Sequence, residues 1–393
     1  MLKVPMYLPL FSDEYDLEEI PVFYGAISIY LKQLYPIFRK APAWFDRLLN
    51  SKPMMKLAAS MAGSTDAKGL EEMTLSMLLG EEGDQNSELD KMVDWIADHC
   101  RPDVVHLSNA LLLGLARRMK QRFKVPVICS LQDEDIWVDA MKPSAREQMW
   151  KLMGQRAKDI DAFIAVSNYY ARAAREWMKL PAEKIHTVHL GVDPNDYEVV
   201  PTRQKQREIG YISRMNPENG LDIIIDAFIL LKKDGKYDDV HLHITGGSTG
   251  GDTRFIKEQK QKLEDSGVRP FAHFWQDFEG KHRTDFLKRM LLLSVPVRNG
   301  EAFGLYLSEA MASGIPVVQP DLGAFPEIVA AGGGGKIYEP NTPEALARAL
   351  KELMDNPQKI EELSVEARRS VEKHFNINLQ AEKLVEIYAK IER

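Results

Sequence analysis

The residues best suited to chemistry lie between Glu301 and Ile328, where the chain reads EAFGLYLSE, then AMASGIPVV, then GAFPEI from Gly323. An apolar strand runs into a turn carrying Glu301, and Phe303-Gly304 opens a helix that carries Glu309 more than a turn onward. Without a Cβ, Gly304 lets the backbone approach a ligand closely, and the unpaired amides of a helix start can hold a phosphate. Glu309 could accept hydrogen bonds from hydroxyls further along the same ligand. An anion at the amides and sugar hydroxyls at the carboxylates describe a nucleotide-sugar. The spacing of two glutamates carries no information by itself, since a surface acid and a helix acid would give the same pattern.

Such residues need rigid elements behind them. Short apolar runs alternate with longer periodic segments over most of the chain, the pattern of strands buried under helices in an α/β sheet. The first series comprises Asp103–Leu107, Val125–Ser130, Asp161–Ser167 and Ile185–Leu190. The second comprises Glu208–Ser213, Val240–Thr245, Phe271–Trp275, Leu291–Val297 and Ile315–Val318, with a short strand after the glycines at 332–335. Their continuous Val, Ile and Leu, and connections long enough for crossover helices, predict parallel sheets. Helix starts are expected at Ser87, at Ser144 with Glu147, and at Thr342-Pro343. One further helix is expected over Asn376–Arg393, with Leu379, Leu384, Val385 and Tyr388 as its apolar positions. Patterning stops over Gly191–Gln206, which places a domain over 1–200, a second over 207–372, and a last helix over 376–393 returning to the first. Two such domains leave a cleft between them, at the strand ends where ligands usually bind.

Composition narrows the class. At roughly 150 residues per domain, 393 residues allow two to three domains. The net charge of −7 argues against nucleic acid as a partner. Two cysteines, Cys100 and Cys129, cannot frame so long a chain with disulfides, which suits a reducing compartment. No stretch approaches 18 uninterrupted apolar residues, and the first fifteen carry prolines and acids, so a soluble, cytoplasmic protein is expected. Residues 22–62 are aromatic and carry six basic side chains against Asp46 alone, a local charge of +5. Two readings stay open for them: peripheral contact with an anionic membrane surface, and a helical excursion packing on its own domain.

The Glu301–Ile328 run resembles the glycosyltransferases of the GT-B fold, family 4, the "group 1" transferases. The paired acids match that family's Glu-x7-Glu signature, and some thirty surrounding positions follow its pattern. Weaker similarity extends through Pro102–His106, Asp161–Ser167 and Gly191–Asp193 to Gly335–Pro340. The resemblance implies two Rossmann-like domains with parallel sheets facing a central cleft. It implies a retaining transfer from a nucleoside-diphosphate sugar to an acceptor, with no metal and no cofactor. Glu301 would touch the donor sugar's hydroxyls and Glu309 the ribose, while the amides around Phe303, Gly304 and Leu305 would hold the diphosphate. Arg214 matches the arginine that balances charge on the leaving phosphate, and pairing with Glu218 is its bland alternative. His106 matches a histidine near the reacting sugar, and a satisfied core histidine is the alternative. Gly246, in the glycine-rich run 246–251, could border the donor.

The chain also departs from that pattern. Asn219 stands where the family has a phosphate-binding lysine, so one cation is lost. Gln132-Asp133 stands where many relatives have histidine followed by aspartate, and Asp133-Glu-Asp135 imitates a metal motif without the context of a metal site. Val4–Leu10 resembles a strand that relatives reach only after a strand, a glycine-rich loop and a helix, so the first domain is expected to lack that unit. A non-catalytic GT-B remnant that binds nucleotide or a partner, and a sugar-nucleotide epimerase, are the competing readings.

Overall fold

A computed structural model describes residues 3–4 and 71–391. The basic, aromatic stretch 22–62 lies outside the described residues, as does Val4–Leu10 beyond Val4 itself. Two compact units emerge, one taking in the described residues through Ile164 with Ala174–His186 and Tyr388 onward, the other Ala165–Ala173 and Thr187–Ile387.

The first unit is built on a four-stranded sheet of β1 (Val105–Leu107), β2 (Val127–Leu131), β3 (Ala162–Ala165) and β4 (Ile185–Thr187), in that order. β1 pairs parallel with β2. Helix Asn86–His99 buries Leu89, Met92, Val93 and Ile96, the face its periodicity predicts. Its start differs from expectation. Gln85 is the cap residue and no side chain caps it; Ser87 is already inside the first turn, because the preceding turn hands over through Asn86 N–H donating to the Gly83 carbonyl at 3.3 Å. Ser144 is likewise internal to helix Pro143–Arg156, where the fixed φ of Pro143 begins the helix one residue earlier.

The second unit carries a six-stranded sheet of β5 (Glu208–Ile212), β6 (His241–Thr245), β7 (Ala272–Phe274), β8 (Leu292–Leu293), β9 (Val317–Pro320) and β10 (Gly335–Tyr338). The spatial order is β10-β9-β8-β5-β6-β7, and every neighbouring pair is parallel. The chain therefore builds outward from β5 in one direction and from β8 in the other. Helix Pro343–Met354, capped by Thr342 Oγ1 on the Ala345 amide, buries Leu346, Ala349, Leu350 and Leu353 and packs on helix Leu221–Lys232. The last helix runs Ile377–Ile391; Ile387 is buried and Leu379, Leu384 and Tyr388 are half-buried as expected, whereas Val385 is exposed.

Near the amino ends of β5, β6 and β7 lies an open cavity of about 550 Å³ lined by three imidazoles, Glu208, Trp275 and Arg289. His241 Nδ1 and His273 Nε2 are 2.8 Å apart with stacked rings, and His273 also stacks on His243. Arg289 pairs with buried Glu208 at 2.9 Å, and Lys232 lies over Phe271 beside the stack. Burial first, then the neighbouring imidazoles, hold His241 and His273 below the ordinary histidine value. The unfolded chain takes up protons below about pH 6.5 that the folded stack resists, so stability is complete above that pH and declines below it. The urea midpoint for the second unit is expected to fall between pH 7.5 and 5.5. His273→Phe, which keeps a ring on the edge strand and removes a titrating group, is expected to flatten that fall; an unchanged slope would refute the assignment.

Candidate active site

In an open parallel sheet, ligands bind beyond the carboxyl ends of the strands where strand order reverses, because the two flanking loops diverge there. In the second unit that point lies between β5 and β8. The loop after β5 carries Arg214 and Asn219; the segment after β8 carries Glu301 and leads into helix Leu305–Ala312.

Backbone contact shapes this end of the sheet. A Cβ on Gly300 (φ +77°) would stand 2.4 Å from the Gly323 amide nitrogen, and one on Gly323 (φ +60°) 2.4 Å from that of Glu301. The Ala324 amide then donates to the Glu301 carbonyl at 3.0 Å, which ties the GAFPEI turn to the acid. Gly304 is the cap residue, left-handed at φ +85°, a conformation that costs an L side chain roughly 1–2 kcal/mol. Its carbonyl accepts the Leu307 amide at 2.9 Å, which closes the first turn. Leu305 is 40% exposed at that start while Phe303, 2% exposed, packs edge-on against Phe375.

The two acids hold different environments. Glu301 is half-buried and accepts a 2.6 Å hydrogen bond from the Tyr306 hydroxyl. Glu309 is buried, and its carboxylate accepts from Arg283 and, at 3.3 Å, from the Tyr197 hydroxyl. Further along the motif, Glu327 receives the amides of Asn168 (2.8 Å) and Tyr169 (3.0 Å), where it caps helix Asn168–Met178. His189 Nε2 meets the same carboxylate at 2.7 Å. Burial works against the Glu327 charge, but these partners outweigh it and its pKa lies below the ordinary value.

Arg214 is not paired with Glu218. Its Nε donates to Asp252 Oδ2 at 3.0 Å and its Nη2 to Thr249 Oγ1 at 2.9 Å, both on the loop after β6. Asp252 also receives the Thr249 amide and hydroxyl, at 2.7 and 2.8 Å. Burial raises the pKa of Asp252, yet Arg214 and Thr249 bring it below the ordinary carboxylate value. The guanidinium is thus anchored through Nε and Nη2 while its side chain stays 47% exposed. Gly246, at φ +134°, permits the underlying close approach: a Cβ there would stand 1.9 Å from the Ser213 carbonyl oxygen. Asn219 is bonded within its own loop. Its Nδ2 donates to Ser213 Oγ at 2.7 Å, its amide to Asn216 Oδ1 at 2.9 Å, and its carbonyl accepts from the buried Tyr211 hydroxyl, so it stiffens the loop. Arg298 anchors the same loop by donating to the Pro217 carbonyl and pairing with Asp222.

Two candidates fall in the first unit. His106, on β1, has both ring nitrogens engaged, Nδ1 with the Tyr388 hydroxyl at 2.6 Å and Nε2 with Ser130 Oγ at 2.9 Å. Burial lowers its pKa to about 4, so it is neutral at pH 7. These are the bonds of the satisfied core histidine. Asp133 follows β2 in a left-handed conformation (φ 55°) and begins helix Glu134–Asp139. Its neighbour Glu134 is buried and accepts the amides of Ala110 and Gln132, each at 2.9 Å. No group of three or more metal-ligating side chains with suitable geometry occurs among the described residues.

The sequence motifs missed Asp252, Thr249, Arg283, Tyr197 and Tyr306. The partners of the first two pairs come from other loops and helices; only Tyr306, five residues from Glu301 across a helix start, had a local signal.

Comparison with known proteins agrees with the fold. Residues 193–370 match the description "Glycosyl transferases group 1" and residues 83–196 "Glycosyltransferase Family 4". Over these two stretches the chain resembles the family 4, group 1 glycosyltransferases, and its two parallel-sheet units match the GT-B fold. It is 26% identical over 301 residues to the MMP alpha-(1->4)-mannosyltransferase of Mycolicibacterium hassiacum, covering 73% of this chain and 70% of that protein. It is 28% identical over 208 residues to the lipopolysaccharide core biosynthesis mannosyltransferase LpsB of Rhizobium meliloti, covering 52% of this chain and 54% of LpsB. The match thus spans little more than half the length of LpsB. Among solved structures, Anabaena HepE in complex with UDP superposes with a TM-score of 0.68 at 20% identity, over 77% of this chain and 82% of HepE. The sucrose-phosphate synthase of Thermosynechococcus elongatus gives 0.64 at 19% identity over 78% of each chain.

If Asp252 anchors Arg214 and closes the capping box with Thr249 at the turn Gly250–Asp252, its removal costs stability through both roles. Asp252→Ala is expected to lose about 1–2 kcal/mol in chemical denaturation, mostly as the lost cap, since ion pairs to a half-exposed guanidinium contribute little. Asp252→Asn, which keeps an acceptor for the Thr249 amide, is expected to recover at least half; equal losses would contradict the capping role.

Proposed function

We propose that the protein transfers a sugar from a nucleoside-diphosphate sugar to an acceptor with retention of anomeric configuration. The observation that carries this reading is the meeting of Arg214 and the Glu301–Glu309 run at the carboxyl ends of β5 and β8, where the strand order reverses. The diphosphate lies against the first-turn amides after Gly304, whose orientation and partial positive charge favour an anion. Glu309 accepts from the ribose and Glu301 from the sugar hydroxyls. Arg214 faces the phosphate that leaves. A fixed cation held in a partly dry site lowers the energy of charge as it develops, with no reorganisation at the moment of reaction.

In the transfer, the bond between C1 of the sugar and the phosphate oxygen breaks as the acceptor oxygen bonds to C1 on the same face. The proton of the acceptor hydroxyl passes to the departing phosphate oxygen. This reading asks no acid–base step of His106, whose nitrogens are engaged within its own unit, and none of a metal. The relatives' names, two of them mannosyltransferases, and the UDP bound to HepE support a nucleotide-sugar donor. The helices of the described residues include none long and apolar enough to cross a membrane.

Calorimetry with UDP and GDP, followed by transfer or hydrolysis assays over a panel of UDP- and GDP-sugars, tests the reading. Binding of one nucleotide is expected, abolished or strongly weakened by Glu309→Ala. Arg214→Ala is expected to lower turnover about a hundredfold or more while changing donor affinity far less. Absence of binding by the intact protein would overturn the donor site; binding without turnover of any donor would leave a nucleotide-binding relative that is not a transferase.

A further inference from the structure

Arg283 has no part in the sequence motif, yet it makes the most extensive side-chain contact at Glu309. It lies on helix Gly280–Arg289, and its Nε stands 2.9 and 3.0 Å from the two carboxylate oxygens while Nη2 donates to Oε2. The Glu309 side chain is 10% exposed and that of Arg283 29%. A carboxylate offers about four lone-pair directions, and a guanidinium fork takes the inner edge shared by both oxygens. The outer edge keeps one long bond, 3.3 Å from the Tyr197 hydroxyl to Oε1. That bond is at the weak end of the range for a hydroxyl donor, so an incoming hydroxyl can take its place at small cost.

Two physical consequences follow. The fork fixes the plane of the carboxylate, so its outer lone pairs point one way before any ligand arrives. It also balances the buried charge, which removes the penalty of keeping a bare carboxylate out of water. Lysine in the same place would supply the charge without the planar fork.

Resting on the donor-site reading above, we propose that Arg283 is a positioning residue of the ribose subsite, setting Glu309 to receive the sugar diol and so making the site select ribonucleotides over deoxyribonucleotides. The residue acts through Glu309 and does not touch the reacting atoms.

The test compares UDP or GDP, whichever the full-length wild type binds, with its 2′-deoxy and 3′-deoxy analogues by calorimetry. Wild type is expected to prefer the ribonucleotide to at least one analogue by about tenfold or more, the worth of a hydrogen bond to a charged acceptor. In Arg283→Met that preference is expected to fall to about twofold or less, with affinity for the same analogue kept within about threefold, and Arg283→Lys is expected to restore part of it. Should Arg283→Met not fold, Arg283→Gln removes the charge while retaining a donor and is read in the same way. Full ribose preference in the variants would overturn the proposal, as would an equal loss of affinity for ribo- and deoxy-forms, which marks a merely structural role. A wild type that binds nucleotide without ribose preference would overturn it and leave the donor site standing. A wild type that binds no nucleotide would overturn the donor site itself.

Discussion

The second unit depends on backbone passing backbone with no side chain between. Gly300 and Gly323 approach so closely that a Cβ on either would lie 2.4 Å from a main-chain nitrogen of the other segment. That contact brings the GAFPEI turn against the acid after β8, and Gly304 then starts the helix in a left-handed conformation. A methyl group at either crossing would push the segments apart by more than an ångström, and every distance that the site relies on would change with it. The site is therefore a property of strand ends held by a tightly packed sheet, and its side chains inherit their positions from that packing.

Charge is arranged in the same spirit. Arg214 is held by Asp252 and Thr249, Glu309 by Arg283, Glu301 by Tyr306 and Glu327 by His189 with two amides. Long side chains lose rotamer freedom when they bind a ligand, and here most of that loss has occurred on folding. Partners also keep the buried charges from standing alone, which would cost far more than the pairs return. The loop at Asn219 fits this pattern, stiffened by hydrogen bonds among Asn219, Ser213 and Asn216.

The strands and helices were legible because buried parallel strands and amphipathic helices write their periods into the sequence; β5 and β6 lie where the apolar runs place them, and β9 (Val317–Pro320) lies two residues beyond its expected run Ile315–Val318. The motif likewise announced Gly304 and the helix bearing Glu309, since a glycine before an apolar helix is a local signal. Capping was less legible. Ser87 and Ser144 carry the right side chains, but a backbone turn and Pro143 respectively set those helix starts. What could not be read are the partners. Asp252 lies 38 residues from Arg214 and Arg283 lies 26 from Glu309, and an isolated charge on a helix looks the same whether it faces water or a carboxylate. His106 shows the converse, a residue matched by motif whose two nitrogens the fold had already assigned.

Backbone amides give the most direct view of the central claim, that the turn at Phe303-Gly304 receives a diphosphate. Amide resonances of the ¹⁵N-labelled protein can be followed while it is titrated with a nucleoside diphosphate and, separately, with the matching monophosphate. The amides of Gly304 and Leu305 are expected to move downfield with the diphosphate and much less with the monophosphate, whose chain ends one phosphate short. Unmoved resonances at 303–305, with shifts elsewhere showing that the nucleotide is bound, would contradict the claim.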